Sequence, residues 1–246
     1  MKSQQRNASS PSSTDSVSKS SAKAQGEVSP TLISKPSPRY FVPDLSPHDR
    51  KVLAQLKPKY VFVAESPHIS EVEPDEMKDR RPLCGAAGRQ WWGLLSELLE
   101  KKPNTDVSLE HFIAFCQKHS IAVLNAVQYP LDPKVAARYP DADPAQNLGF
   151  NKVAGAYSYK KLKASPQVQA SLSDLAERLC HPSFKDARIF CLGNDSYWFV
   201  TQALGMADAI EKIQDKIPHP SAWWRAGGLY GRIAREKLTE VFKRKS

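Results

Sequence analysis

Four short segments of this 246-residue chain combine residue types that can do chemistry: Glu65-Ser-Pro-His68, Asn125-Ala-Val-Gln-Tyr-Pro130, Gly193-Asn-Asp195 and His219-Pro-Ser-Ala-Trp-Trp-Arg225. A carboxylate such as Glu65 can orient water or stabilise a cationic, sugar-like transition state. The amide of Asn125 donates and accepts at once, which suits the edge of a base or another planar amide. His219 is followed by a proline that restricts its backbone, and its ring can donate a hydrogen bond to charge developing on a leaving group. Trp223, Trp224 and Arg225 suit stacking and phosphate contact. Each has a plainer role when taken alone, as a turn cap, a solvated ring or a core aromatic. Their joint occurrence is what carries information.

Each segment follows a short apolar run. Lys59-Tyr-Val-Phe-Val-Ala64, Ile121-Ala-Val-Leu124 and Ala187-Arg-Ile-Phe-Cys-Leu192 read as buried strands, and Ile210 to Ile217 contains a shorter fourth. Between and after them the apolar spacing predicts helices over Arg89 to Glu100, Ser108 to His119, Gln167 to Leu179, Asp195 to Leu204 and Ala226 to Lys243, with Ser108 as an N-cap. At least one of Trp91 and Trp92 is expected to face the sheet. Strands alternating with helices predict a three-layer α/β/α domain with a central, mainly parallel four-stranded sheet. In open sheets of this kind ligands bind at the carboxyl ends of the strands, which is where all four segments fall.

Hydrophobic residues make up 41% of the chain, and no stretch reaches the roughly 18 uninterrupted apolar residues of a membrane span. No membrane association is expected. Residues 1–38 are rich in Ser, Pro and Lys without an aromatic residue, and are expected to be a disordered tail ahead of a domain over 39–246. The formal net charge of +9 is uneven: +3 falls in that tail and +6 in the last 31 residues. Such a distribution favours a polyanionic partner at the two ends. Residues 130–165 form a long excursion in which Lys160 and Lys161 sit beside Tyr157 and Tyr159, a basic and aromatic patch suited to nucleic acid. Cys84, Cys116, Cys180 and Cys191 form no C-x-x-C pair and read as buried, inert thiols of a reducing, intracellular compartment. No metal is expected, because His181, His219 and the acids lack a ligand spacing.

The ordered motifs resemble the uracil-DNA glycosylase superfamily. Val63-Ala-Glu-Ser-Pro-His68 resembles its first motif, G-Q-D-P-Y-H in one branch and G-E-A-P-G in another. Arg81-Pro-Leu-Cys-Gly-Ala-Ala-Gly-Arg-Gln90 is similar to P-F-V-G-x-A-G-Q of the second branch, and Ile121-Ala-Val-Leu-Asn-Ala-Val127 to L-L-L-N-A-V of the first. Ile189-Phe-Cys-Leu-Gly193 resembles the first branch's penultimate strand, and His219-Pro-Ser221 matches the family's H-P-S. The resemblance runs in order over about residues 58–243.

It implies a monofunctional glycosylase that flips a damaged or modified pyrimidine out of DNA and hydrolyses its N-glycosidic bond, uracil being the family default. Asn125 would bind the base, His219 would stabilise the departing anion, and Glu65 would support water or the oxocarbenium-like sugar. Glu71, six residues after Glu65, falls where the second branch has a functional acid. One of Trp223, Trp224 and Arg225, in the region after Ser221, would fill the gap in the duplex. No lysine occupies a matched position to form a Schiff base.

Three positions depart from the pattern. Leu83 stands where the second branch stacks a Phe on uracil, His68 replaces the Tyr that gates the pyrimidine 5-position, and Ser66 aligns with the first branch's catalytic Asp. The four cysteines also lack the spacing of that second branch's iron-sulfur cluster, so no cofactor is expected. The altered gate leaves open a glycosylase for bulky hypermodified cytosine in phage DNA, with an antiviral role. A non-catalytic protein that binds DNA lesions on the same scaffold is the alternative from another class. Double- or single-stranded DNA is the expected partner, and a monomer the expected state.

Overall fold

The computed structural model describes residues 41–102, 108–128, 131, 152–153, 156–157 and 166–243. The chain divides into two units, Met1–Leu32 and Ile33–Ser246, and every described residue belongs to the second. The tail expected over 1–38 and the pair Lys160 and Lys161 lie outside the described residues.

Four strands build the central sheet: β1 (Tyr60–Ala64), β2 (Ile121–Asn125), β5 (Arg188–Leu192) and β6 (Ile213–Ile217), with a separate antiparallel pair β3 (Lys152–Val153) and β4 (Ala156–Tyr157) inside the long excursion. The sheet order is β2-β1-β5-β6, and all three pairings are parallel. β1 and β2 are buried along their whole length, which is why they read as continuous apolar runs. β6 is an edge strand whose exposure alternates, so only a weak signal announces it.

Successive side chains of a strand point to opposite faces, and each face has its own core. On one face, Val61, Val63, Ala122, Leu124, Ile189 and Cys191 pack with Leu172 and Leu175 of α4 (Pro166–Leu179) and with Phe199 and Val200 of α5 (Gly193–Met206). On the other, Tyr60, Phe62, Val123 and Phe190 pack with α2 (Ala86–Glu100), α3 (Leu109–His119) and α6 (Arg225–Lys243). The result is the expected three-layer α/β/α fold. Both Trp91 and Trp92 are core: Trp91 meets Phe62 edge-on at 4.9 Å, and Trp92 stacks on Phe112 at 4.3 Å.

The differences from the sequence reading are local. α1 (Ile69–Val72), a single turn capped by His68, gives no periodic signal because one turn does not repeat. Gly193 has φ 95°; it makes the strand-to-helix corner after β5 and starts α5, two residues before the helix start expected at Asp195. The closing helix is broken near its start, where Ala226, Gly227 and Gly228 are all left-handed. Cys116 and Cys191 are buried as expected, but Cys84 is half-buried and Cys180 is exposed at the end of α4; all four are free.

Candidate functional site

The parallel sheet brings the carboxyl ends of its strands to one side, where a cleft of ≈ 1100 Å³ opens. Among the residues singled out from sequence, Glu65, Ser66, His68, Glu71, Leu83, His219, Ser221, Trp224 and Arg225 line it. The loop after β1 is pinned to the extension of β2: Ala126 N–H donates to Ala64 O at 2.9 Å and Val127 N–H to Glu65 O at 3.0 Å. Ser66 Oγ accepts from Leu131 N–H at 3.4 Å, so its hydroxyl holds the loop. That is a plainer role than the aspartate with which it aligns.

Asn125 ends β2 and is fully buried. Its Nδ2 donates to Glu71 Oε2 at 3.1 Å, while its Oδ1 is buried without a hydrogen-bond partner among the described residues. The second Glu71 oxygen accepts from Leu83 N–H at 2.9 Å. Burial pushes the Glu71 carboxyl up to about 8, against these two hydrogen bonds, one from the His68 backbone and the charge of Arg81. Glu71 entered the sequence reading only through its six-residue spacing from Glu65. The structure makes it the carboxyl that touches Asn125.

Because the folded form holds its proton more tightly than the unfolded chain does, Glu71 contributes stability that is complete below its ordinary value of 4.5. That contribution is lost as pH rises through about 8. Urea unfolding is therefore expected to show stability falling across this interval, and Glu71→Gln should flatten the upper part of the slope. A slope unchanged in the variant would contradict the assignment.

Leu83 has φ 57°, and its strained conformation is fixed from both sides. Its N–H is held by Glu71, and its carbonyl accepts from Trp92 Nε1 at 3.0 Å. Gly88 permits this, since a Cβ there would lie 1.6 Å from the Leu83 carbonyl oxygen. The Gly-rich stretch after Leu83 thus serves the close approach of α2 to the loop that carries Glu71's partner.

His219 caps a short 3-10 turn, Pro220–Ala222. Its Nδ1 accepts from Ser221 N–H at 3.2 Å and lies 2.8 Å from Ser221 Oγ. With Nδ1 used as an acceptor, the neutral ring carries its proton on Nε2, which makes that nitrogen the donor. The same tripeptide occurs again at His181-Pro-Ser183, where Ser183 N–H donates to His181 Nδ1 at 3.3 Å. His-Pro-Ser is thus a capping unit in both places, and only the second copy lines the cleft. His68 caps α1 by a similar bond from Ser70 N–H at 3.4 Å.

The three candidates after Ser221 separate. Trp223 is 8% exposed, packs near Trp91 at 6.3 Å and donates from Nε1 to Pro218 O at 2.8 Å, so it belongs to the core. Trp224 is 71% exposed, with the Arg225 guanidinium 5.7 Å from its ring centre. The left-handed residues 226–228 follow directly and present this pair at the cleft rim.

Sequence reasoning missed the buried pair behind Asn125. Leu45 bridges Val123 through two backbone hydrogen bonds, at 2.9 and 3.1 Å, and so brings Asp44 beside the end of β2. Asp44 accepts from Asn125 N–H at 3.3 Å, from Gln128 Nε2 at 3.1 Å and from the Arg178 guanidinium at 3.0 Å. Arg178 also donates to Asn125 O at 2.8 Å and Ala126 O at 3.2 Å. Burial pushes the Asp44 carboxyl up to about 7, with Arg178 as the largest opposing influence. These two are positioning residues for Asn125.

The thiols of Cys84, Cys116 and Cys191 are pushed up by burial, to about 11, 12 and 12, and so stay protonated at neutral pH. Among the described residues no group of three His, Cys, Asp or Glu is placed to hold a metal ion, and no helix is long and apolar enough to cross a membrane. Comparison of the chain with protein-family models and with curated proteins finds no match.

Proposed function

We propose that the protein is a monofunctional DNA glycosylase that flips a pyrimidine into the cleft and hydrolyses its N-glycosidic bond, leaving an abasic site. The observation that carries this reading is the convergence of three groups at the carboxyl end of one sheet. Glu65 and the donor ring of His219 line the cleft, and the amide of Asn125 stands behind it on Glu71. In this mechanism the oxygen of water forms a bond to the sugar C1′ while the bond from C1′ to N1 breaks, and its electron pair departs with the base. Nε2–H of His219 donates to the oxygen on which that charge collects. Glu65 stabilises the cationic sugar and takes the proton from water.

Extruding a nucleotide costs a few kcal/mol, which contacts to the distorted duplex must offset. Trp224 is an exposed aromatic side chain able to fill the vacated stack, and Arg225 beside it can meet a phosphate. The volume of ≈ 1100 Å³ stands just above the range of about 300–1,000 Å³ typical of ligand pockets. Together with Leu83 in place of a stacking Phe and His68 in place of a gating Tyr, this favours a second reading in which the base is a cytosine enlarged at its 5-position.

Duplexes carrying uracil, other damaged pyrimidines or glucosylated hydroxymethylcytosine, incubated with the protein and then treated with alkali, test the proposal. Strand breakage at the modified position is expected for at least one of them. Tight binding without breakage on any substrate would replace the enzyme with a DNA-binding protein. A protein-DNA adduct trapped by borohydride would overturn the monofunctional mechanism.

A further inference from the structure

The contact between Glu71 and Asn125 has two chemically distinct forms. An ionised carboxylate only accepts, so Asn125 must turn its NH₂ toward Glu71 Oε2, the arrangement seen at 3.1 Å. A protonated Glu71 can differ. Its Oε1 still accepts from Leu83 N–H, which leaves the proton on Oε2, and that proton needs an acceptor. A half-turn of the Asn125 amide supplies one by exchanging Nδ2 with Oδ1, which has no partner among the described residues. The backbone of Asn125 stays fixed in either case, clamped by Asp44 on its N–H and Arg178 on its carbonyl.

The half-turn swaps the order of donor and acceptor on the amide edge opposite Glu71, an edge that is buried in the free protein and is met only by a base that displaces what covers it. Uracil and cytosine differ by that same swap: uracil offers an acceptor at O4 and a donor at N3, whereas cytosine offers a donor at N4 and an acceptor at N3. We propose that Glu71 and Asn125 form a proton-coupled reading pair, in which ionised Glu71 sets Asn125 for a uracil-type edge and protonated Glu71 sets it for a cytosine-type edge. The inference rests on Asn125 reading the base, as in the proposed function. Burial pushes the Glu71 carboxyl up to about 8, which brings the exchange between the two forms toward neutral and mildly alkaline pH.

Other groups face Glu71 as well. Arg81 is fixed in charge over this range and favours the ionised form, while the Cys84 thiol, pushed up to about 11, stays neutral. Glu65, His68 and His219 line the same cleft. All three are retained in Glu71→Gln, so a difference between that variant and the wild type isolates the contribution of Glu71. The amide that this substitution introduces is uncharged and keeps an oxygen for Leu83 N–H while its NH₂ donates to Asn125 Oδ1, so the variant imitates the protonated carboxyl at every pH.

The test is binding of the full chain to duplexes containing 2′-fluoroarabino deoxyuridine or 2′-fluoroarabino deoxycytidine, whose glycosidic bonds resist cleavage. The preference for uracil over cytosine should fall by about tenfold or more between about pH 8.5, below the range in which uracil N3–H itself ionises, and about pH 6, as one well-placed bidentate contact is exchanged. Glu71→Gln should hold the low-pH ratio throughout. As a check that needs no variant, the ¹³C shift of the Glu71 carboxyl and the ¹⁵N shift of the Asn125 side chain should titrate together. A ratio independent of pH in the wild type, or a pH-dependent ratio that survives in Glu71→Gln, would overturn the proposal while leaving any measured base excision standing. The expected ratio change with no excision on any substrate would keep the reading pair and refute the glycosylase.

Discussion

His219→Ala is expected to lower the single-turnover rate of base release by about a hundred- to a thousand-fold, the usual effect of removing one donor from a developing oxyanion. The ring is prepared for that role by its own cap: Ser221 N–H occupies Nδ1 at 3.2 Å and so assigns the proton to Nε2. His181→Ala supplies the control. It removes the same capping contact from the same tripeptide, at a site that does not line the cleft, and is expected to leave the rate unchanged. Loss of rate in both variants would mean that the His-Pro-Ser units act through stability alone. Full activity of His219→Ala would remove His219 from the chemistry.

Arg178→Met is expected to destabilise the fold by about 3–5 kcal/mol, measured by urea unfolding, because it leaves a buried carboxylate without its counter-charge. Asp44 and Arg178 are both buried and meet at 3.0 Å. The same substitution strips the donor from two carbonyls at the end of β2, those of Asn125 and Ala126. An unpaired Asp44 favours its proton still more, so the deficit should be smaller at about pH 5 than at about pH 8. Adding Asp44→Asn to Arg178→Met should restore part of the stability, as the stranded charge is then gone. A deficit below about 1 kcal/mol, the range of an exposed pair, would contradict the buried clamp.

The layers were legible because β1, β2 and β5 are buried on both faces and announce themselves as apolar runs, while α2 and α3 show helical spacing. The strand ends followed from topology, and with them the placing of Glu65 and His219 at one cleft. The clamp on Asn125 was not legible. Asp44 and Arg178 are 134 residues apart in the chain, and neither breaks the local pattern around it. Trp223 and Trp224 are chemically identical neighbours, and only the packing of one near Trp91 assigns it to the core. His181-Pro-Ser183 and His219-Pro-Ser221 are equally indistinguishable as text. The depth of Glu71 was hidden because a carboxylate on a single helical turn ordinarily faces water, and here Leu83 N–H and Asn125 hold it inside.

In the proposed function this cleft breaks the bond between a pyrimidine and its sugar. The most direct measurement is the amount of free base, identified by mass, set against the number of abasic sites formed in one duplex population under single-turnover conditions. Release of a pyrimidine in one-to-one ratio with abasic sites, reduced together in Asn125→Ala and His219→Ala, is the predicted result. An unaltered duplex that remains bound to the wild-type protein, with no free base from uracil or from enlarged cytosine, would contradict it.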